Sequence, residues 1–268
     1  MAAGFHKSIR ILLAWFILGP FLIFLLPEVW RLQAVDWCVP CINIVLARLL
    51  FRKQSSLVAT RKWSIWICLP IGTVCFVVSL LGAPIAHWMG WLDFSYGAIM
   101  PSPDVLKAIF LQKVPITIVV TWLGYEWAVR RALWRSLHER LGLWSTLGVT
   151  SLVGFHLQWP RLMLANGAGE FMYSSVAVAE LFMVELLCGV MVALSGRLAP
   201  SVLFHSMALI TDRFLLGDVL NAYMPLTNYI SSSSRFYLTK IFLLALSMLI
   251  LMAGLYFIPS LKRQKSTD

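Results

Sequence analysis

Long apolar runs separated by short polar connections are the main pattern of this chain. Several runs approach the roughly 20 apolar residues that a helix needs to cross a bilayer. Backbone groups inside a bilayer have to be satisfied within their own segment, so these runs predict helices. The predicted fold class is an all-α membrane bundle of about eight transmembrane helices, forming a single integral domain over residues 1–268. The predicted spans are residues 9–27, 34–51, 63–83, 106–129, 143–159, 171–195, 199–216 and 236–258.

Composition agrees with a membrane protein. Of the 268 residues, 60% are hydrophobic and only 13% are charged, whereas soluble domains have about 25% charged residues. A net charge of +10 raises the question of nucleic-acid binding. The basic residues lie beside apolar runs and form no patch with interleaved aromatic residues, so we expect the lipid bilayer as a partner and no nucleic acid.

The basic residues also predict a topology, because cytoplasmic connections are enriched in Lys and Arg. They concentrate in alternate connections, at residues 48–62, 130–140, 197 and 262–265. Both termini are therefore predicted to be cytoplasmic. The connections at residues 82–103 and 217–234 are predicted to lie outside, each with room for a short interfacial helix.

A few polar residues interrupt the apolar runs. Glu126 and Arg130 are four residues apart, so on a helix they share one face and can pair. His156 and His205 stand alone in two later runs. Polar groups at membrane depth face the bundle interior or a water-filled cavity, so we expect Glu126, His156 and His205 to converge. The simpler alternatives are an interfacial salt bridge for Glu126 and interhelical hydrogen bonds for the histidines.

A glutamate and two histidines on three helices are suited to hydrolytic chemistry. They can activate a water molecule and stabilise a developing oxyanion. Two histidines and a carboxylate also suit a hydrolytic zinc ion, but the HExxH spacing of zinc proteases is absent. We expect no resident metal or other cofactor, with zinc as the alternative. Two further glutamates in the sixth span, Glu180 and Glu185, receive no role.

These polar residues and their order resemble the CPBP intramembrane proteases, also called the CAAX-protease or Abi family. That family carries the motifs EExxxR, FxxxH, and HxxxN or HxxxD on successive helices. The resemblance covers residues 107–212, the expected catalytic core. It is strongest over residues 187–205, LCGVMVALSGRLAPSVLFH, where a glycine-containing helix, a short basic turn and a histidine-bearing helix follow one another.

The first motif has one glutamate instead of two, since residues 125–130 read YEWAVR. With Arg130 as the motif arginine, Tyr125 replaces the first glutamate. With Arg131 as the motif arginine, Glu126 is the first glutamate and Trp127 replaces the second.

The other two motifs also differ from the family pattern. Leu152 stands where the second motif has Phe, and Leu209 stands where the third has Asn or Asp. Asp212 follows His205 by seven residues and so shares its helix face, which makes Asp212 the candidate substitute.

The resemblance implies an intramembrane endopeptidase that cleaves a membrane-associated protein or peptide with glutamate-activated water, in a bacterial inner membrane. Glu126 would be the base, His156 its partner on the water, and His205 a contact to the oxyanion or substrate. Arg130 or Arg131 would orient Glu126. The alternative from another class is a catalytically inactive relative acting as a membrane scaffold or chaperone, and a transporter is a third class.

The topology is testable by cysteine accessibility. We expect a cysteine introduced beside Pro103 to react with an impermeant reagent from outside the cell, and one introduced at residues 52–61 to react only from the cytoplasmic side. Labelling near Pro103 from the cytoplasmic side alone would contradict the eight-span topology.

Overall fold

The structure, a computed structural model, is helical apart from three short strands. It describes residues 2–27, 30–31, 34–50, 64–95, 103–165, 171–211, 216–218, 227–231 and 235–257. The first helices are α1 (Ala2–Leu22, followed by a tighter turn at Ile23–Leu25), α2 (Val39–Leu50, entered through wide turns at Ala34–Cys38), α3 (Ile65–Leu80) and α4 (Gly82–Trp88).

The next helical stretch carries Glu126. We call it α5, and it comprises Pro103–Ala108, Ile109–Lys113, Val114–Val120 and Thr121–Leu133. Its second and fourth segments have wide i→i+5 turns, a geometry that is frequent at functional sites. The chain continues directly into α6 (Trp134–Ala165), which is broken at Gly142, where φ is 74°. Glycine adopts this left-handed conformation without strain, so the break separates the end of the Glu126 helix from the next predicted span.

The described residues of the second half of the chain include three more helices. They are α7 (Phe171–Ser195), α8 (Ala199–Ile210) and α9 (Arg235–Phe257). Each of the eight predicted spans overlaps a helix, although the helix in the seventh span, residues 199–216, ends at Ile210. The helical fold class is confirmed.

The helices differ in whether their length and composition suffice to cross a membrane. Among the described residues, two helical stretches are long and apolar enough to cross a membrane. They are Ile65–Trp88, which runs through α3 and α4, and Val178–Ser195 of α7. Shorter apolar helices lie at Arg10–Leu25, Val39–Leu49, Ala199–Ile210 and Leu238–Ala253.

Three strands join the two connections that were predicted to lie outside. They are β1 (Leu92–Ser95), β2 (Leu216–Asp218) and β3 (Thr227–Ser231). β3 is central, antiparallel to β1 and parallel to β2. The short helix expected in the first connection is present as α4. In the second connection the described residues are strands, and residues 219–226, where the other short helix was expected, lie outside the described residues. β3 is rich in β-branched and aromatic residues, which favour a strand.

Two apolar clusters of the described residues flank the buried polar groups, and a smaller one joins Trp134, Leu147 and Val190. The first joins α1, α2, α5 and α6, and the second joins α3, α7, α8 and α9. Tyr125 and Val129 of the first cluster alternate along α5 with Glu126 and Arg130. Cys188 and Phe204 belong to the second cluster. The buried polar residues of α5, α7 and α8 therefore lie between the two clusters.

Two helix contacts depend on glycine. A Cβ built on Gly72 of α3 would lie 2.6 Å from the carbonyl oxygen of Pro200 on α8. A Cβ on Gly124 of α5 would overlap Pro40 of α2. A Cβ on Gly148 of α6, in contrast, would have no such neighbour within 4 Å.

We expect Gly72→Ala to destabilise the protein by about 1–3 kcal/mol, the usual cost of overpacking a tight contact. The control is Gly148→Ala, which should be neutral or stabilising by up to about 1 kcal/mol, because alanine favours the helix. Thermal unfolding of the purified protein in detergent measures both. Equal unfolding temperatures for Gly72→Ala and the parent protein would contradict the close approach of α3 and α8.

Candidate functional site

Glu126 and Arg130 form a fully buried ion pair on α5. Arg130 donates a hydrogen bond from Nη1 to Glu126 Oε1 over 2.8 Å, and both side chains are inaccessible to solvent. The predicted i,i+4 pairing is therefore present. Arg131, the other candidate partner, is exposed. Of the two candidate arginines, the geometry therefore favours Arg130 as the partner of Glu126. Tyr125 then stands at the position that precedes the paired glutamate.

His205 reaches the same carboxylate from α8. Its Nδ1 lies 2.6 Å from Glu126 Oε1, and the imidazole is fully buried. Ser201, one turn earlier on α8, donates its hydroxyl hydrogen to Glu126 Oε2. The predicted contact between Glu126 and His205 is therefore present.

A second carboxylate enters the cluster from α7. Arg130 donates from Nη2 both to Glu185 Oε2 and to the Glu185 carbonyl oxygen, the latter over 2.7 Å. Gln158 of α6 donates from Nε2 to Glu185 Oε1. The Nε2 atom of His205 lies 3.1 Å from Gln158 Nε2 and 3.7 Å from Glu185 Oε1. His205 is therefore flanked by Glu126 on one side and by Gln158 and Glu185 on the other.

Gly154 makes room for this second carboxylate. A Cβ on Gly154 would overlap Glu185 Oε2. Gly154 and Gln158 are one turn apart on α6 and so share the face that meets α7. The sequence indicated neither Gln158 as a site residue nor a role for Glu185. The i,i+4 spacing of Gly154 and Gln158 could have indicated a helix face with room for a polar contact.

His156 lies outside the cluster, so its predicted convergence with Glu126 is wrong. Its Nε2 lies 2.9 Å from the carbonyl oxygen of Ile17 on α1, and its ring centroid lies 5.3 Å from that of Phe21. Successive helix residues are about 100° apart. Position 156 therefore points away from the face that carries Gly154 and Gln158.

The other predicted site residues have distinct positions. Tyr125 is buried, and its ring centroid is 6.1 Å from that of His205. Leu209 is half-buried on α8. Asp212, the proposed substitute for the motif residue, lies outside the described residues.

A buried cysteine completes the surroundings. Cys188, one turn after Glu185 on α7, is fully buried and free, and its Sγ lies 3.9 Å from the Ser201 carbonyl oxygen. Within the described part of the chain, Glu126, Cys188 and His205 form a group whose potential ligand atoms all lie within 4.8 Å of one another. The site thus offers two carboxylates, an imidazole and a thiol around one guanidinium.

No protein-family model matches this chain, and neither a curated protein nor a solved structure does. The chemistry of the site is therefore the basis for its interpretation. Carboxylates and an imidazole in contact can move a proton, and such groups at a buried position are typical of catalytic sites.

We expect Arg130→Met to destabilise the protein by about 3–5 kcal/mol, because it leaves two buried carboxylates without their shared cation. The control is Arg131→Met, a change at the adjacent exposed position, which should shift stability by no more than about 0.5 kcal/mol. Thermal unfolding in detergent distinguishes the two. Similar unfolding temperatures for both variants would contradict the central position of Arg130.

Proposed function

We propose that this chain is an eight-span integral membrane protein that hydrolyses a peptide bond of a membrane-associated protein or peptide. In this proposal it is a divergent relative of the CPBP intramembrane proteases. The observation that carries the proposal is the buried contact between His205 Nδ1 and Glu126 Oε1, at 2.6 Å. A carboxylate that holds one nitrogen of an imidazole is a recurrent arrangement in hydrolases.

The distribution of polarity supports the membrane location. Glu126, Arg130 and Glu185 lie inside the bundle, whereas many large apolar side chains face outward, including Trp66 at 79% and Trp88 at 84% exposure. Tryptophan is enriched where a membrane meets water. The alternating basic connections favour cytoplasmic termini, and we propose a bacterial inner membrane as the location.

The reaction requires a proton acceptor and a donor. As a water oxygen attacks the peptide carbonyl carbon, its proton passes to a carboxylate of the cluster. When the C–N bond breaks, that proton passes to the leaving nitrogen. Glu126 and Glu185 are the candidate carboxylates, and both are fully buried in contact with Arg130. His205 lies against both carboxylates and is the proposed contact to the developing oxyanion.

The structure changes one role in this scheme. His156, the expected partner of Glu126 on the water, faces α1. Gln158 lies beside His205 instead, with its Oε1 3.4 Å from His205 Nε2. We assign Gln158 to the positioning of His205 and Glu185.

One observation favours the inactive scaffold or chaperone as a second candidate. Glu126 already accepts hydrogen bonds from Arg130, Ser201 and His205, and such a fully bonded network also serves a purely structural role. Tyr125 and Leu209, which replace polar residues of the family motifs, also favour the catalytically inactive role.

Cleavage can be tested without knowing the substrate. New protein N-termini are compared by mass spectrometry in membranes of cells that express the parent protein, Glu126→Gln or Glu185→Gln. We expect a set of N-termini that depends on the parent protein and falls about 100-fold or more in both variants, the typical effect of losing an acid–base group.

The matched control is Glu180→Gln. Glu180 lies on the same helix as Glu185 but pairs with Lys240 of α9, so this variant should retain cleavage. If the folded parent protein and Glu126→Gln give identical N-termini, the protease proposal fails and the result favours the scaffold or chaperone role.

A further inference from the structure

Glu126, Cys188 and His205 bring three different metal-binding groups to one point. They come from α5, α7 and α8, are all fully buried, and have ligand atoms within 4.8 Å of one another. We propose that these three residues bind a single zinc ion and leave its fourth position open. The proposal rests on the proposed function only for the ion's use. It also changes the roles in that scheme, because Glu126 and His205 would hold the ion through the atoms that now contact each other.

The chemical types of the three groups select the metal. Sulfur, imidazole nitrogen and carboxylate oxygen are the usual zinc ligands, whereas Mg²⁺ and Ca²⁺ prefer oxygen alone. Three protein ligands with one open position are typical of catalytic zinc, whereas structural sites use four. From the sequence we expected no resident metal, with zinc as the alternative, and Cys188 was not indicated as a ligand. The three ligands lie on separate helices and form no compact motif.

The surroundings provide the second layer of contacts that metal ligands need. The other imidazole nitrogen of His205 faces Gln158 and Glu185. The other carboxylate oxygen of Glu126 accepts a hydrogen bond from Ser201. Partners of this kind fix the orientation of ligating histidines and carboxylates. Both ligands are therefore already held in position by their outer contacts.

The charges of the cluster also suit a divalent cation. Glu126 and Glu185 carry two negative charges against the one positive charge of Arg130, which lies in contact with both. Cysteine binds metal as a thiolate and histidine binds as the neutral imidazole. With a thiolate at Cys188 the cluster has two excess negative charges, which one Zn²⁺ balances. Balance matters because an uncompensated buried charge is costly.

The imidazole and the carboxylate would need only a small rearrangement to bind the ion. His205 Nδ1 and Glu126 Oε1 are 2.6 Å apart, whereas two such ligands of tetrahedral zinc are separated by about 3.3 Å, given bond lengths near 2.0 Å. The ion would thus replace one hydrogen bond, and the pair would separate by less than about 1 Å. Glu185 is not a ligand, so of the two candidate carboxylates it would be the one left to accept the proton in the proposed reaction.

The full-length protein in detergent is stripped with a chelator and loaded with Zn²⁺ or Co²⁺. We expect one ion per chain by elemental analysis, and with Co²⁺ a thiolate-to-metal charge-transfer band. Cys188→Ser should lose the band and weaken binding by more than about tenfold. The control is Cys75→Ser, a buried cysteine on α3, which should retain the ion and the band. If Cys188→Ser does not fold, His205→Gln replaces it, with loss of the ion expected.

The outcomes separate this inference from the proposed hydrolysis. Failure of the folded parent protein to retain Zn²⁺ overturns the zinc site, whether or not cleavage occurs. An unchanged Co²⁺ band in folded Cys188→Ser, or an ion retained in folded His205→Gln, overturns it as well. One bound ion per chain without any cleavage in cells leaves the zinc site in place and removes the protease proposal.

Discussion

The guanidinium of Arg130 lies between two carboxylates, Glu126 on its own helix and Glu185 on α7. Desolvating these charged groups costs several kcal/mol for each ion unless they pair closely. The pairing therefore requires the charged faces of α5 and α7 to meet, which fixes how each helix is turned about its own axis. Once that orientation is set, Gln158 and His205 have charged groups to contact from α6 and α8. The site is thus a consequence of helix packing as much as of its individual residues.

Such packing is possible only where the helices approach one another closely. Gly154 lacks the side chain that would exclude the Glu185 carboxylate, and Gly72 allows α3 to approach the carbonyl oxygen of Pro200. Pro200 immediately precedes Ser201, which donates a hydrogen bond to Glu126. Small residues at helix contacts are typical of membrane proteins, where packing and hydrogen bonds replace the hydrophobic effect. The polar cluster and the glycine contacts are therefore parts of one arrangement.

The sequence predicted the features that depend on local pattern. The apolar runs predicted the helices, and the i,i+4 spacing predicted the Glu126–Arg130 pair. The cost of leaving an imidazole without a partner at membrane depth predicted that His205 faces the interior of the bundle. It failed where helix rotation decides the outcome, since His156 and Gln158 are only two residues apart and yet point in different directions. It also failed for the pairing of β1 with β3, which joins residues more than a hundred positions apart. Long-range pairing leaves no signature in a single run of residues.

The Glu126–Arg130 pair also has a consequence for how the chain is assembled. Both residues lie on one turn of α5, so their charges already cancel before any later helix is synthesised. In the proposed membrane location, this segment would enter the bilayer as an electrically neutral unit, although it carries an ionised acid and an ionised base. Glu185 arrives 55 residues after Arg130 and finds the second amino group of the guanidinium still available. The order of the residues along the chain thus allows each acidic group to meet its partner as it is inserted.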